Sequence, residues 1–463
     1  MQQFDLIVIG SGPGGYRAAV LATLRGLNVA IIEKADWGGC CLNRGCVPKK
    51  DWHHTAQLVA HSKDFAERGI TGTLSADIHG AWDHQHKVVE NVRDSYTDYM
   101  KRLGISAFTG SGQFVDANTI AITNEHISGK NIIIATGSSP YVPDNYPLTA
   151  GRVLTTDDLF DNPPPAGKRV AIVGSGVIGT EFAFILSQLG CEVVWIANSK
   201  PLANSQYSAP ALKILHEALA KLDIIPRTRS RAQQVEVLAD GVKLSFADGS
   251  NETVDWVLLG SGRRPHTEAL NAEAAGVALD SKGYVKVNAY LQTSIPHIYA
   301  IGDVANSRMT ANQALADASV AVANILAPKS RKQDVAAVPE LVYSAVELGR
   351  IGMNEDEAED NELEPAVGFA AFESNPRALG QDDINGFVRL IADMDSGALL
   401  GAEVVGAEAG EIIHAIAQQY GNEDALAHFA SMFYNHPART EEIQNATETL
   451  ANKWGLSKQV FGA

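Results

Sequence analysis

An α/β fold, with two Rossmann-like nucleotide-binding domains and a C-terminal α+β domain, is predicted by three observations. A strand, a glycine turn, a helix and a second strand follow one another between Leu6 and Glu33. The same layout recurs between Arg169 and Ile196. From about Pro339 the glycine motif is missing and a hairpin signal takes its place. At 463 residues the chain is long enough to bury several cores.

In the first unit, Leu6-Ile7-Val8-Ile9 is a short apolar run, as expected of a parallel strand buried on both faces. Gly10, Gly12 and Gly15 then spell G-x-G-x-x-G. A helix is expected from about Gly14 to Leu24, stopping near Gly26, and Val29–Ile32 forms a strand that ends at Glu33. Glycines at this spacing let the backbone approach a pyrophosphate at the helix N-terminus, and an acid at the end of the second strand accepts hydrogen bonds from a ribose.

The cysteine stretch Cys40-Cys41-Leu42-Asn43-Arg44-Gly45-Cys46 follows directly. A regular helix holds an i, i+5 pair too far apart for a disulfide, because each residue adds ~1.5 Å of rise. An irregular turn at Gly45 can bring Cys41 and Cys46 together. Pro48 suits the first turn of a helix beginning near Cys46, where the positive helix end favours a thiolate. A redox-active pair is the favoured reading. Two buried structural cysteines, or half of a zinc site, are the alternatives; the spacing is unusual for zinc and no second cysteine pair exists.

From Asp51 to about Leu103 the pattern is helical, with His53, His54, His61, His79, His84 and His86 read as solvated or packed side chains. Short strands are expected between Ile105 and Glu125, then a buried strand Asn131–Ala135 running into Thr136-Gly137-Ser138. A linker is expected at 161–167. The second unit carries Gly174, Gly176 and Gly179, a helix to about Leu189 and the strand Val193–Ile196. Glu33 stands 23 positions after Gly10, and the residue 23 positions after Gly174 is Ala197. The ribose-binding acid is thus replaced. Asn198 or Ser199 is expected to take the ribose diol of NAD, while Lys200 suits the 2′-phosphate of NADP. Trp256–Gly260 and Gly262-Arg263-Arg264-Pro265 close this part. The strand Ile298–Ile301 then ends in Gly302-Asp303, an acid placed to bond a sugar hydroxyl, and a helix is expected over 312–326.

In the last part, Gly386–Ala392 and Leu399–Val405 flank Asp395-Ser396-Gly397 as a hairpin, with helices around Ala409–Gln419 and Arg439–Trp454. Pro437 biases His436 towards an extended backbone ahead of the second of these helices. Glu441 follows five positions later, and an acid that orients an imidazole makes a general base.

The net charge of −17 argues against a general nucleic-acid binder and against an anionic membrane surface. No stretch reaches the ~20 apolar residues of a membrane span. The first apolar run leads straight into a glycine turn, and four cysteines make no secreted disulfide framework, so a cytoplasmic enzyme without a metal site is expected.

Almost the whole chain resembles the FAD-dependent pyridine nucleotide–disulfide oxidoreductases. Gly10–Gly15 with Tyr16, Glu33, Cys41–Cys46, Ala135-Thr136-Gly137, Gly174–Gly179, Ala300–Asp303 and His436-Pro437 with Glu441 carry the resemblance. Cys-Leu-Asn-Arg-Gly-Cys and Pro-Gly-Gly-Tyr are similar to its dihydrolipoamide-oxidising branch. The resemblance implies FAD at Gly10, Gly12, Gly15, Glu33, Gly137 and Asp303, and NAD at Gly174, Gly176, Gly179, Asn198 and Gly262, with NADP left open. It implies that Cys41 exchanges with substrate sulfur, that Cys46 lies against the flavin, and that Lys50 pairs with Glu181 near the flavin ring. His436, held by Glu441, becomes an acid–base contributed across a homodimer with shared active sites. The implied domains are 1–150 and 276–337 for FAD, 151–275 for NAD(P) and 338–463 for dimerisation. The implied substrate is dihydrolipoamide or a protein-bound dihydrolipoyl group. The rival is an NADPH-dependent reductase of a small disulfide, similar to glutathione reductase. Cys40, Lys49, Asp51-Trp52-His53-His54, Ala197 and Ala438 depart from the usual family pattern and suggest a dedicated lipoyl-carrying partner.

Overall fold

Apolar residues on both faces of the first strand decide the architecture. In the computed structural model, which describes residues 1–462, Ile7 and Ile9 pack into one core and Leu6 and Val8 into another. The strand Gln2–Ile9 is therefore central. It pairs in parallel with Val29–Glu33 on one side and Glu125–Ile134 on the other. Ser106–Thr109 extends the first side, and Ile298–Ala300, distant in sequence, pairs in parallel with Glu125–Ile134. The strands Thr119–Ile122 and Gly112–Phe114 complete this seven-stranded sheet in antiparallel pairing. The helix Pro13–Thr23 buries Gly14, Gly15, Ala18, Ala19 and Ala22, small residues that allow close packing.

A second sheet has five parallel strands, in the order Ile224–Thr228, Glu192–Ala197, Arg169–Val173, Trp256–Leu259, Val153–Thr155. A three-stranded antiparallel sheet, Ala232–Val237, Val242–Phe246 and Asn251–Val254, has no counterpart in the sequence reading. These sheets belong to one compact unit, made of Met1–Gly179, Ile185–Asn198 and Ile224–Gln333.

The other unit comprises Thr180–Phe184, Ser199–Asp223 and the chain from Asp334 onward. Its five-stranded antiparallel sheet runs Glu340–Tyr343, Glu347–Gly352, Leu399–Val405, Phe387–Asp393, Pro365–Ala371. Leu390 and Val404 pack with Ile412, Ile416, Ile443 and Leu450 from the helices Ala409–Ala417 and Glu441–Trp454.

Two expectations need correction. The stretch Asp51–Leu103 is not one helix. The helix Cys46–His61 runs into a 3₁₀ turn, Ser62–Arg68, and a new helix begins at Ile78. Gly69 and Gly72 interrupt it with φ of +75° and +127°, and the Asp77 carboxylate caps the new start by accepting from the Gly80 N–H. The last long helix starts at Glu441, not Arg439, because the Glu441 side chain folds back onto the Ala438 N–H and keeps the preceding residues in a turn.

Candidate active site

The glycine turn is built by close approach. Gly10 has φ +103°, and a Cβ there would lie 2.3 Å from the Ala135 carbonyl oxygen. A Cβ on Gly15 would lie 1.9 Å from the Gly10 carbonyl oxygen. A Cβ on Gly12 would meet nothing within 4 Å, so the turn is open at that point. The helix Pro13–Thr23 has no side-chain cap, which leaves its first N–H groups for a ligand. Glu33 is buried. Its Oε2 accepts from the Ser11 N–H at 2.9 Å and the Ser11 hydroxyl at 2.7 Å, and its Oε1 accepts from the Ala35 N–H at 2.9 Å. Ser11 Oγ in turn accepts from the Gly38 N–H at 3.0 Å, which ties the turn to the cysteine segment.

That segment contains two helices in close succession, Gly39–Asn43 and Cys46–His61, broken at Arg44-Gly45. The break brings Cys41 and Cys46 to a Cα separation of 4.7 Å, and they are disulfide-bonded. Cys46 is the first residue of its helix, so its sulfur lies at the positive end. Arg44 holds the segment in place by reaching Asp161 at 2.6 Å and Asp36 at 2.5 Å. Asn43 is buried and donates to the carbonyls of Trp37 and Gly39, while its Oδ1 has no partner among the described residues.

Asp303 is held beside the same segment through a chain of contacts. Ser138, in the residue after Gly137, donates to Asp303 Oδ2 at 2.5 Å. Arg263, next to Gly262, donates from Nε to Ser138 Oγ at 2.7 Å and from Nη2 to the Ser138 carbonyl at 2.9 Å. The same Nη2 reaches Cys40 Sγ at 3.3 Å, and Nη1 lies 3.8 Å from Asp157. Burial raises the Asp303 carboxyl, and the Ser138 hydroxyl opposes that shift. Burial also pushes the Cys40 thiol up to about 11, with Arg263 acting against it. Cys40 is a free thiol outside the disulfide.

The second turn repeats the first. Cβ atoms on Gly174 and Gly179 would lie 2.3 Å from the Gly260 carbonyl oxygen and 2.2 Å from the Gly174 carbonyl oxygen, and a Cβ on Gly176 would meet nothing within 4 Å. The helix Val177–Gln188 likewise lacks a side-chain cap. The Trp195 indole N–H donates to the Gly174 carbonyl at 2.7 Å. Ala197 ends its strand and is buried; Asn198 beyond it is exposed and accepts from Ser175 Oγ at 3.1 Å. Sequence reasoning passed over Ser11 and Ser175. The signal for both was present, since each fills the x of Gly-x-Gly in its own turn.

In the other unit, His436 is largely exposed and its Nδ1 lies 2.8 Å from Glu441 Oε1. Glu441 Oε2 accepts from the Ala438 N–H at 2.8 Å. That backbone bond, followed by His436, holds the Glu441 carboxyl below its usual value. Lys50 lies on the helix Cys46–His61. Glu181 is buried and its Oε1 accepts from the Tyr343 N–H at 2.9 Å. The His-rich helices pair His84 Nδ1 with Asp51 at 2.9 Å and bury His53. No group of three or more His, Cys, Asp or Glu among the described residues is arranged to hold a metal ion.

Two open glycine turns at uncapped helix starts, a buried acid after the first, and a disulfide tied to that turn suit a flavin and a nicotinamide dinucleotide. A family model for pyridine nucleotide-disulphide oxidoreductases matches residues 4–318, and the model for that family's dimerisation domain matches residues 338–447. The dihydrolipoyl dehydrogenase of Thermus scotoductus is 33% identical, covering 97% of this chain and 98% of that protein. The dihydrolipoyl dehydrogenase of Bacillus subtilis is 30% identical, covering 96% of each. The crystal structure of LpdA from Mycobacterium tuberculosis shares the fold, with a TM-score of 0.90 at 22% identity over 97% of this chain and 100% of that one. The chain belongs to the pyridine nucleotide-disulphide oxidoreductase family. It is a flavoprotein disulfide oxidoreductase of the dihydrolipoyl dehydrogenase type, and FAD and NAD(H) are the cofactors of its family.

Proposed function

We propose that the protein oxidises a protein-bound dihydrolipoyl group and reduces NAD⁺. The Cys41–Cys46 disulfide, with Cys46 at a helix N-terminus, is the observation that carries this reading. His436 takes a proton from one thiol of the substrate, and Glu441 supports the resulting imidazolium. The substrate thiolate attacks Cys41 Sγ, and Cys46 leaves as a thiolate stabilised by the helix end. The second substrate thiol then attacks the first substrate sulfur and breaks its bond to Cys41, its proton passing to the departing Cys41 sulfur. The substrate becomes a cyclic disulfide, and the two electrons it loses reduce the cysteine pair. FAD, when bound, supplies two-electron transfer between such a thiol pair and a nicotinamide.

Glu33, Asp303, Gly137 and the first glycine turn hold FAD; the second turn, Asn198 and Gly262 hold the nicotinamide dinucleotide. Lys50 and Glu181 are assigned to the flavin edge by family resemblance alone. The FAD domain is 1–150 with 276–337, the NAD(P) domain 151–275 and the interface domain 338–463. The working form is a cytoplasmic homodimer in which His436 of one subunit serves the disulfide of the other. The unusual residues beside the disulfide, Cys40, Lys49 and 51–54, support a dedicated lipoyl carrier. Equal turnover of that carrier and of lipoyl domains from 2-oxo acid dehydrogenase complexes removes the reason for it.

A second reading, NADPH-driven reduction of a small disulfide, is favoured by the neutral Asn198 in place of an acid. The deciding experiment is anaerobic oxidation of dihydrolipoamide with NAD and NADP side by side. Turnover with NAD, lost by ~10²-fold or more in His436→Gln, supports the first reading. No turnover with either, but flavin reduction by NADPH, supports the second.

A further inference from the structure

The loop that carries His436 is anchored by two buried polar residues. Asn375 is 1% exposed. Its Oδ1 accepts from the N–H groups of Arg377 at 3.1 Å and Ala378 at 3.0 Å, which caps the short helix Pro376–Gln381. Its Nδ2 faces the other way and donates to the Ala438 carbonyl and to Glu442 Oε1, both at 3.0 Å. Arg439 is also 1% exposed. Its Nη2 donates to the Asp383 carbonyl at 2.8 Å, Nε and Nη2 reach Gln381 Oε1 at 3.2 and 3.1 Å, and the guanidinium lies 5.1 Å from the Phe372 ring centroid.

The Ala438 peptide groups lie between these anchors and the site. The Ala438 carbonyl is held by Asn375, its N–H is held by Glu441 Oε2, and the next residue is pinned by the Arg439 fork. Glu441 then has one oxygen committed to the backbone and the other to His436 Nδ1. We infer that Asn375 and Arg439 are positioning residues for the His436–Glu441 pair, acting through Ala438. The inference rests on the reading of His436 as the acid–base. The double role of Asn375 separates positioning from stability. Asn375→Asp keeps the two helix-capping acceptor bonds but turns an oxygen towards the Ala438 carbonyl and the Glu442 carboxylate, which repel it.

The test uses the holoenzyme with free dihydrolipoamide. Asn375→Asp is expected to lower kcat by about tenfold while KM stays within about twofold, with FAD content retained. A residue that only caps a helix leaves kcat unchanged in Asn375→Asp, and that result overturns the inference. If this variant does not fold, Gln381→Ala decides: Gln381 is exposed, and its loss frees one arm of Arg439, so kcat is expected to fall about threefold. Wild-type kcat there overturns the inference. A readout independent of turnover is the rate at which diethylpyrocarbonate modifies His436, followed by peptide mapping. Loosening Glu441 frees His436 Nδ1 from its partner and opens it to the reagent, so Asn375→Asp reacts at least about threefold faster; an unchanged rate overturns the positioning claim. Should His436→Gln keep full turnover, the acid–base reading fails, and this rate still tests the positioning.

Discussion

Ser175 Oγ donates to Asn198 Oδ1 at 3.1 Å, and so repeats, one position further along the chain, the contact of Ser11 Oγ with Glu33 Oε2 at 2.7 Å. Both strands end 23 residues after the first glycine of their turn, at Glu33 and Ala197, both buried, so the partner of the turn serine moves from the last residue of the strand to the exposed residue just beyond it. Asn198 thus makes the serine contact that Glu33 makes in the first unit, although counting from the first glycine selects Ala197.

An acid introduced at Asn198 should shift the nucleotide preference towards NAD. Asn198→Asp is expected to raise the ratio of kcat/KM for NAD over NADP by about tenfold, since a carboxylate accepts strongly from a ribose diol and repels a 2′-phosphate. Ala197→Glu is expected instead to destabilise the protein by on the order of 3 kcal/mol, because it buries a carboxylate within the sheet. Steady-state kinetics with both nucleotides and thermal unfolding of both variants check the pair.

Cys40 is expected to take no part in exchange. Its sulfur is held by Arg263, and burial pushes the thiol up to about 11 from 9.0. At pH 8 only about one molecule in a thousand carries the thiolate, the form that reacts. Alkylation of Cys40 by iodoacetamide in the oxidised enzyme should rise about tenfold per pH unit towards pH 11. The folded value lies above the ordinary one, so stability is unaffected below pH 9.0 and declines as pH rises through about 11. Cys40→Ser should keep dithiol oxidation within about twofold, because a hydroxyl still accepts from Arg263. A tenfold loss, or Cys40 recovered in a disulfide, contradicts this account.

Trp52 is fully buried and packs edge-on to Phe160 with ring centroids 5.0 Å apart. Its indole N–H has no partner among the described residues. Trp52→Phe therefore loses volume without losing a hydrogen bond and should cost about 1 kcal/mol. Trp52→Ala should cost about 3–5 kcal/mol through the cavity it leaves. Denaturant unfolding of the two variants measures the difference. An indole needed for a polar contact would make the two costs similar.

The glycine turns, Glu33, the cysteine pair and His436 with Glu441 were legible in the sequence because each is a local pattern. Gly10, Gly12 and Gly15 are set by the turn they must make, and a helix that begins at Cys46 follows from Gly45 and Pro48. The helical pattern over 51–103 did not show where its two helices part, because polar helix faces resemble a polar loop in composition. There the breaks are set by Gly69, Gly72 and the Asp77 cap.

The sequence by itself determined the fold class, the two glycine turns and the closeness of Cys41 to Cys46 and of His436 to Glu441, since backbone sterics and short spacings act between near neighbours. Only the tertiary structure decided what holds those side chains. Arg263 joins Ser138 and Cys40, and Asn375 joins Ala438, across separations of 125, 223 and 63 residues. Hydrogen bonds of that range depend on where the sheets place their strand ends, and nothing in the local pattern records it.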